Sequence, residues 1–214
     1  SFPTRRSSDL GPGLGNLTYT DEELFETVGS IRSRHGHASV AIVNGYLLSV
    51  YSTDGGGNLD DGGIDIYDVS DPRNPEQVRS IEADITHELR EAHSLSFSSI
   101  GGRDYMVLQA VHGLQIWDVT NPPDIFFAHY VRLDGIREDD YFGAWWAFWQ
   151  APYIYLAGVE QGLYIVDTSD INNPHLVRQI PTSELGGMNP AQVFIVGNMM
   201  VLATNVGEIG RAHV

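Results

Sequence analysis

The sequence predicts an all-β fold, a partial β-propeller of three whole four-stranded blades flanked by two half blades. Three observations predict it. The phrases GIDIYDVSD from Gly63, GLQIWDVTN from Gly113 and GLYIVDTSD from Gly162 recur at spacings of 50 and 49 residues. Within each phrase, apolar and polar residues alternate with the period of a half-buried strand. Around each phrase lie further alternating runs, separated by Gly, Asn, Asp and Pro. A scaffold of this kind carries many unrelated activities, so the repeat speaks to architecture before function.

Taken in chain order, SFPTRRSSDL (1–10) and the segment 208–214 read as in-frame translations of sequencing adapters. They are set apart from the fold as non-native. Residues 11–34 form the first half blade. Gly13 lies 50 residues before Gly63, which aligns Glu26–Ile31 with an outer strand. A capping box at Thr20–Glu23, opening a short helix, is the rival reading. The blade at 35–84 begins with a hairpin, Ser39–Val43 and Tyr46–Ser52, around Asn44-Gly45, the strongest short hairpin signal. The Gly63 strand follows, then a DPRNP turn and an outer strand at Glu76–Ile81. The blade at 85–134 repeats this order with Ser94–Ser98, Gly101-Gly102, Tyr105–Val111, the Gly113 strand, NPPD and Ile125–Val131. The blade at 135–184 has Ala144–Trp149, Ala151-Pro152, Tyr153–Val159, the Gly162 strand, DINNP and His175–Ile180. Residues 185–207 supply the last half blade, with Gln192–Val196, Gly197-Asn198 and Met199–Asn205. The turn segments use Asp and Asn, which bond their own backbone, and Pro, which presets φ and offers no ladder donor.

Composition narrows the function classes. The chain carries 28 acidic against 12 basic residues, all of the latter Arg, for a net charge of −16. Such a surface repels phosphate backbones and anionic headgroups, which argues against nucleic-acid binding. With no cysteine, disulfides and zinc–thiolate sites are excluded. No apolar stretch approaches the length of a membrane span.

Runs such as GLYIVDTSDINNPHLV and GIDIYDVSDPRNPEQV resemble the repeat of LVIVD-repeat proteins, which reads G-L-x-I-V-D-V-S-D-P-x-x-P. The pattern departs at Thr168, in NPPD, and at Thr18, where the repeat has Asp. The resemblance implies a propeller of bacterial or archaeal secreted and surface proteins, located extracellularly, in the periplasm or on the cell surface. It transfers no catalytic residues. The partners expected are protein or carbohydrate at the cell surface.

Four constellations are candidates for chemistry. Asp68, Asp118 and Asp167 occupy one repeat position. A ring of metal ligands is one reading, and a structural cap on each turn explains their recurrence better. His35, His37 and His93 precede the first strands of two blades, with Glu91 nearby, a donor set for a transition metal at the channel mouth. Asp54, Asn58, Asp60 and Asp61 lie in a Gly-rich insertion suited to calcium, without EF-hand spacing. Asp139, Asp140, Tyr141 and Phe142 form a ligand-binding candidate at the mouth. They lead into a Trp-rich strand, for which a sugar-stacking or peptide-binding platform is one reading and core packing between blades the better one. No nucleophile elbow, phosphate loop or dinucleotide fingerprint is present. The sequence therefore points to a binding or interaction module rather than an enzyme. A propeller-type enzyme with a metal at the mouth is the alternative.

Overall fold

The computed structural model describes residues 29–31, 36–52, 62–82, 92–110, 112–136, 143–204 and 209–213. Strands dominate, laid out as successive antiparallel meanders. The first sheet holds β1 (Gly36–Val43), β2 (Tyr46–Ser52), β3 (Gly62–Asp68) and β4 (Glu76–Glu82). The second holds β5 (Ser96–Ile100), β6 (Arg103–Ala110), β7 (Gly113–Asp118) and β8 (Phe126–Arg132). The third holds β9 (Trp146–Gln150), β10 (Tyr153–Ala157), β11 (Leu163–Asp167) and β12 (His175–Ile180). The fourth has three strands, β13 (Pro190–Val196), β14 (Met199–Thr204) and β15 (Ile209–His213).

Turn chemistry sets these strands apart. Asn44 and Gly45 both take positive φ, 48° and 84°, as a tight hairpin with right-handed twist requires. Gly101 and Gly102 repeat this at 60° and 78°. The glycine that opens each central strand has a different reason. A Cβ at Gly113 would stand 2.0 Å from the Val131 carbonyl oxygen, and one at Gly162 would stand 2.0 Å from that of Ile180. The outer strand approaches so closely that only glycine fits.

Burial shows how the sheets meet. Leu48, Val50, Ile64 and Ile66 of the first sheet pack on Met106, Leu108 and Trp117 of the second. Tyr105, Val107, Leu114 and Ile116, on the second sheet's other face, pack on Ile154, Leu156, Tyr164 and Val166 of the third. Tyr155, Ala157 and Leu163 then meet Val193, Ile195, Met200 and Leu202 of the fourth. Alternate residues of β6 and of β10 thus enter two different cores, so each middle sheet is wedged between neighbours. The first strand β9 touches both β5 and β13, which places the first strands nearest the common axis. The outer strands carry the exposed residues Val78, Phe126, Phe127 and Val177. This is the geometry of a β-propeller.

Three details depart from the sequence reading. The central strands were expected to bury one face, yet β3 and β7 are buried on both. Asp65 and Tyr67 are 2% exposed, Gln115 and Trp117 1%. A sheet between two sheets has no solvent face, so polar residues there must find partners. Asp65 accepts from Tyr67, Gln77 and Ser80 at 3.1, 3.1 and 2.6 Å. The Trp117 indole donates to Gln115 Oε1 at 3.0 Å. Second, Gly29–Ile31, expected to end an outer strand, are irregular. A Cβ on Gly29 would stand 2.2 Å from the Pro72 carbonyl oxygen, so this backbone lies against a turn of the first sheet. Third, Ile209–His213, set apart as non-native, pairs with β14 from Ala203↔Ile209 to Met199↔His213. The open edge of β14 offers a row of unpaired backbone groups, which an extended segment satisfies.

Candidate functional site

The arrangement of first strands produces a cleft of about 300 Å³ where three successive sheets begin. His93, just ahead of β5, lines it from the second sheet. Trp145 and Trp146, at the start of β9, line it from the third. Ala191 and Gln192 of β13 and Thr204 of β14 close it from the fourth. The His93 and Trp145 rings stack, 5.4 Å between centroids and 18° between planes. Trp146 leans on Phe194, 5.9 Å away and tilted by 40°.

Hydrogen bonds between sheets fix this aromatic wall. Fully buried Gln109 of β6 donates its amide to the Trp145 carbonyl at 2.9 Å. Within the third sheet, the Trp145 amide donates to Ala157 O at 2.9 Å. Buried Ser94 accepts from the Ala147 amide at 2.8 Å and donates to the Ala147 carbonyl at 3.2 Å. The Trp149 amide donates to Ser96 Oγ at 2.8 Å. The two indoles therefore project from a backbone pinned on the second sheet, the preorganisation that lowers the ordering cost of binding.

The opposite wall is open because the repeat changes there. Counting back from the hairpin turns, Trp145 and Trp146 of the third sheet stand where the fourth has Ala191 and Gln192. Ala191 also sits at a bulge, skipped in the register between Pro190↔Thr204 and Gln192↔Ala203. Bulges re-aim side chains and recur beside binding sites.

The residues anticipated from sequence fall elsewhere or outside the described residues. Of the four transition-metal candidates, His93 is placed, in the stack with Trp145. The backbone of His37 belongs to β1, and His35 and Glu91 lie outside the described residues. So do the calcium candidates Asp54, Asn58, Asp60 and Asp61, and the mouth candidates Asp139, Asp140, Tyr141 and Phe142. Among the described residues, no three His, Cys, Asp or Glu side chains gather as a metal site would require. Trp145 and Trp146, read as core, are half-buried and line the cleft, whereas Trp149 is buried as expected. Gln192 and Thr204 drew no attention in the sequence. The switch from Trp-Trp to Ala-Gln at one repeat position is the signal that marks them.

Asp68, Asp118 and Asp167 each turn back on their own chain. Asp68 Oδ1 accepts the Ser70 amide at 2.8 Å, and Asp167 Oδ1 the Ser169 amide at 2.7 Å. Asp118 Oδ1 accepts both the amide and the hydroxyl of Thr120, at 3.1 and 2.6 Å, while Oδ2 takes Arg103. The Ser70 amide, then its hydroxyl, holds the Asp68 carboxyl below the usual range. The Ser169 hydroxyl, then its amide, does the same for Asp167. Burial pushes the Asp118 carboxyl up, but Thr120 and Arg103 outweigh it, and the net shift is downward. A second, shallower cleft of about 480 Å³ lies between the β1–β2 and β5–β6 hairpins, lined by residues including Ile42, Asn44, Phe97 and Asp104.

Residues 152–182 match the LVIVD repeat family. No curated protein matches the sequence. Among solved structures, the computationally designed Ika4 propeller is similar with a TM-score of 0.58 and 13% identity, over 89% of this chain and 98% of Ika4. The designed Ika8 propeller gives 0.54 and 14%, over 83% of this chain and 46% of Ika8. BamB from Moraxella catarrhalis gives 0.49 and 10%, over 83% of this chain and 43% of BamB. At these identities the likeness concerns the fold alone.

Proposed function

We propose that this β-propeller, which carries a match to the LVIVD repeat at residues 152–182, is a binding module whose ligand enters the cleft between His93, Trp145, Trp146 and Gln192. One observation carries the reading: three successive sheets contribute to a single cavity of about 300 Å³, with an aromatic side whose backbone is hydrogen-bonded to the second sheet. Concave sites of mixed apolar and polar lining, built on fixed backbone, are where small ligands bind.

We place the protein outside the cytoplasm, in the periplasm or at the cell surface. The repeat's resemblance to that of surface and secreted proteins supports this. Among the described residues, no helix is long and apolar enough to cross a membrane.

A thermal-shift series tests the binding reading. Wild type and the Ala191→Trp variant, which restores at the fourth sheet the ring present at Trp145, are heated with free sugars, amino acids or quaternary amines at millimolar concentration. Ligands that bind only the native state raise Tm by mass action. At least one class is expected to raise the wild-type Tm and to leave the filled variant unmoved. If no class shifts the wild type, the cleft is not a binding site for them and the reading falls.

A further inference from the structure

Resting on that reading of the cleft, the chemistry of its two walls identifies the occupant: we infer that it takes a neutral pyranose ring, one sugar unit of a carbohydrate. The second and third sheets give the cleft its aromatic side, Trp145 stacked with His93, and Trp146 leaning across on Phe194 of the fourth sheet. The wall from the fourth sheet is small and polar, formed by Ala191, exposed Gln192 and the hydroxyl-bearing Thr204. A pyranose has the matching asymmetry, an apolar C–H face and a rim of hydroxyls. Its face covers an indole, and its hydroxyls meet the Gln192 amide, which offers two donor hydrogens and an acceptor.

Other small ligands fit less well on the same observations. An anion finds no Lys or Arg among the described lining residues and a chain of net charge −16 around it. A quaternary ammonium prefers ring faces that surround it. Here the His93 and Trp145 planes are nearly parallel and cover one another rather than forming a cage. A purely apolar ring would bury Gln192 without giving its amide a partner, which costs more than the contact returns. The cavity volume sits at the lower end of the range for small-molecule sites, about 300–1,000 Å³, room for one ring with its substituents.

Rigidity favours this occupant as well. Free sugars are strongly hydrated, so a site gains on water only if its wall is already in place. Ser94 and Gln109 hold the Trp-bearing strand before any ligand arrives.

Isothermal titration with the methyl glycosides of glucose, galactose, mannose and xylose, and separately with choline and phenol, tests the inference. At least one glycoside is expected to saturate the wild type in the millimolar range, more tightly than either control. Trp146→Ala is expected to weaken it by about tenfold, and Gln192→Ala, at an exposed position that leaves the fold intact, by about fivefold. Saturation by choline or phenol with no glycoside binding would overturn the sugar assignment and leave the cleft a binding site. Equal glycoside affinity in wild type and Gln192→Ala would also overturn it. No binding by any probe would remove the assignment together with the binding reading.

Discussion

Asp118 is held by more partners than the equivalent residues in the other repeats. Thr120 gives its Oδ1 two hydrogen bonds, and the Arg103 guanidinium meets Oδ2, while the residue is only 8% exposed. These partners lower its pKa in the folded state, so its charged form stabilises the fold above the unfolded value of about 3.9. That contribution fades as pH falls through the lower, folded pKa, because both states are then protonated. Asp118→Asn keeps the shape and removes the charge. Urea unfolding at pH 7 is expected to show a loss of about 1.5–3 kcal/mol, the usual worth of hydrogen bonds to a charged group. Repeated at pH 5, the gap should persist, and near pH 3 it should shrink. A gap constant down to pH 3 would mean that shape rather than charge holds the turn. Tyr164 shows the reverse case. Burial, reinforced by Asp134, pushes its hydroxyl up to about 12, so it serves as a donor to Asp134 O at 2.7 Å throughout the ordinary pH range.

At the scale of the strand, the Gly-led phrase owes its first residue to the neighbouring outer strand. Gly162 has φ of 84° and no room for a Cβ before the Ile180 carbonyl. Gly101 also has positive φ, 60°, but faces open space. Gly101→Ala should therefore cost about 1–2 kcal/mol, the left-handed backbone penalty alone. Gly162→Ala should cost about 3 kcal/mol or more, because strain and overpacking add. Equal losses in chemical denaturation would show that conformation, and not crowding, selects the glycine. The strands and hairpins were legible in the sequence because alternation and turn residues act locally. The hairpin turns Asn44-Gly45, Gly101-Gly102, Ala151-Pro152 and Gly197-Asn198 all fall between paired strands. What local pattern did not reveal was the burial of Asp65 and Gln115, which depends on a sheet on each side. Nor did it reveal the cleft, which arises from a Trp145 in one repeat facing an Ala191 in the next. Both are relations between repeats, and periodicity within one repeat is blind to them.

At the scale of the molecule, the described residues form three sheet-to-sheet cores, each shared by two neighbours. Such arrays behave as sums of unit and interface energies. The interface of the second and third sheets also carries the buried Ser94 linkage, which satisfies the Ala147 amide. Ser94→Ala leaves that N–H without its acceptor and should cost about 1–3 kcal/mol. Because the same linkage pins the Trp-bearing strand, this variant should also weaken ligand binding, although Ser94 does not line the cleft. Calorimetry and titration on one sample check both effects, and a stability loss with unchanged affinity would separate the cleft from the interface. The register of the outer strands has a consequence for the circumference. In β4, β8 and β12 the pairing skips one residue at the same place, Val78, Ala128 and Val177. Each of these three blades therefore ends in a kinked border that a flat foreign strand has difficulty extending. The propeller can display Phe126, Phe127 and Val177 to its surroundings while its backbone stays insulated from fibril-like growth. Encounters along the rim are thereby confined to side-chain contacts, which form and part freely.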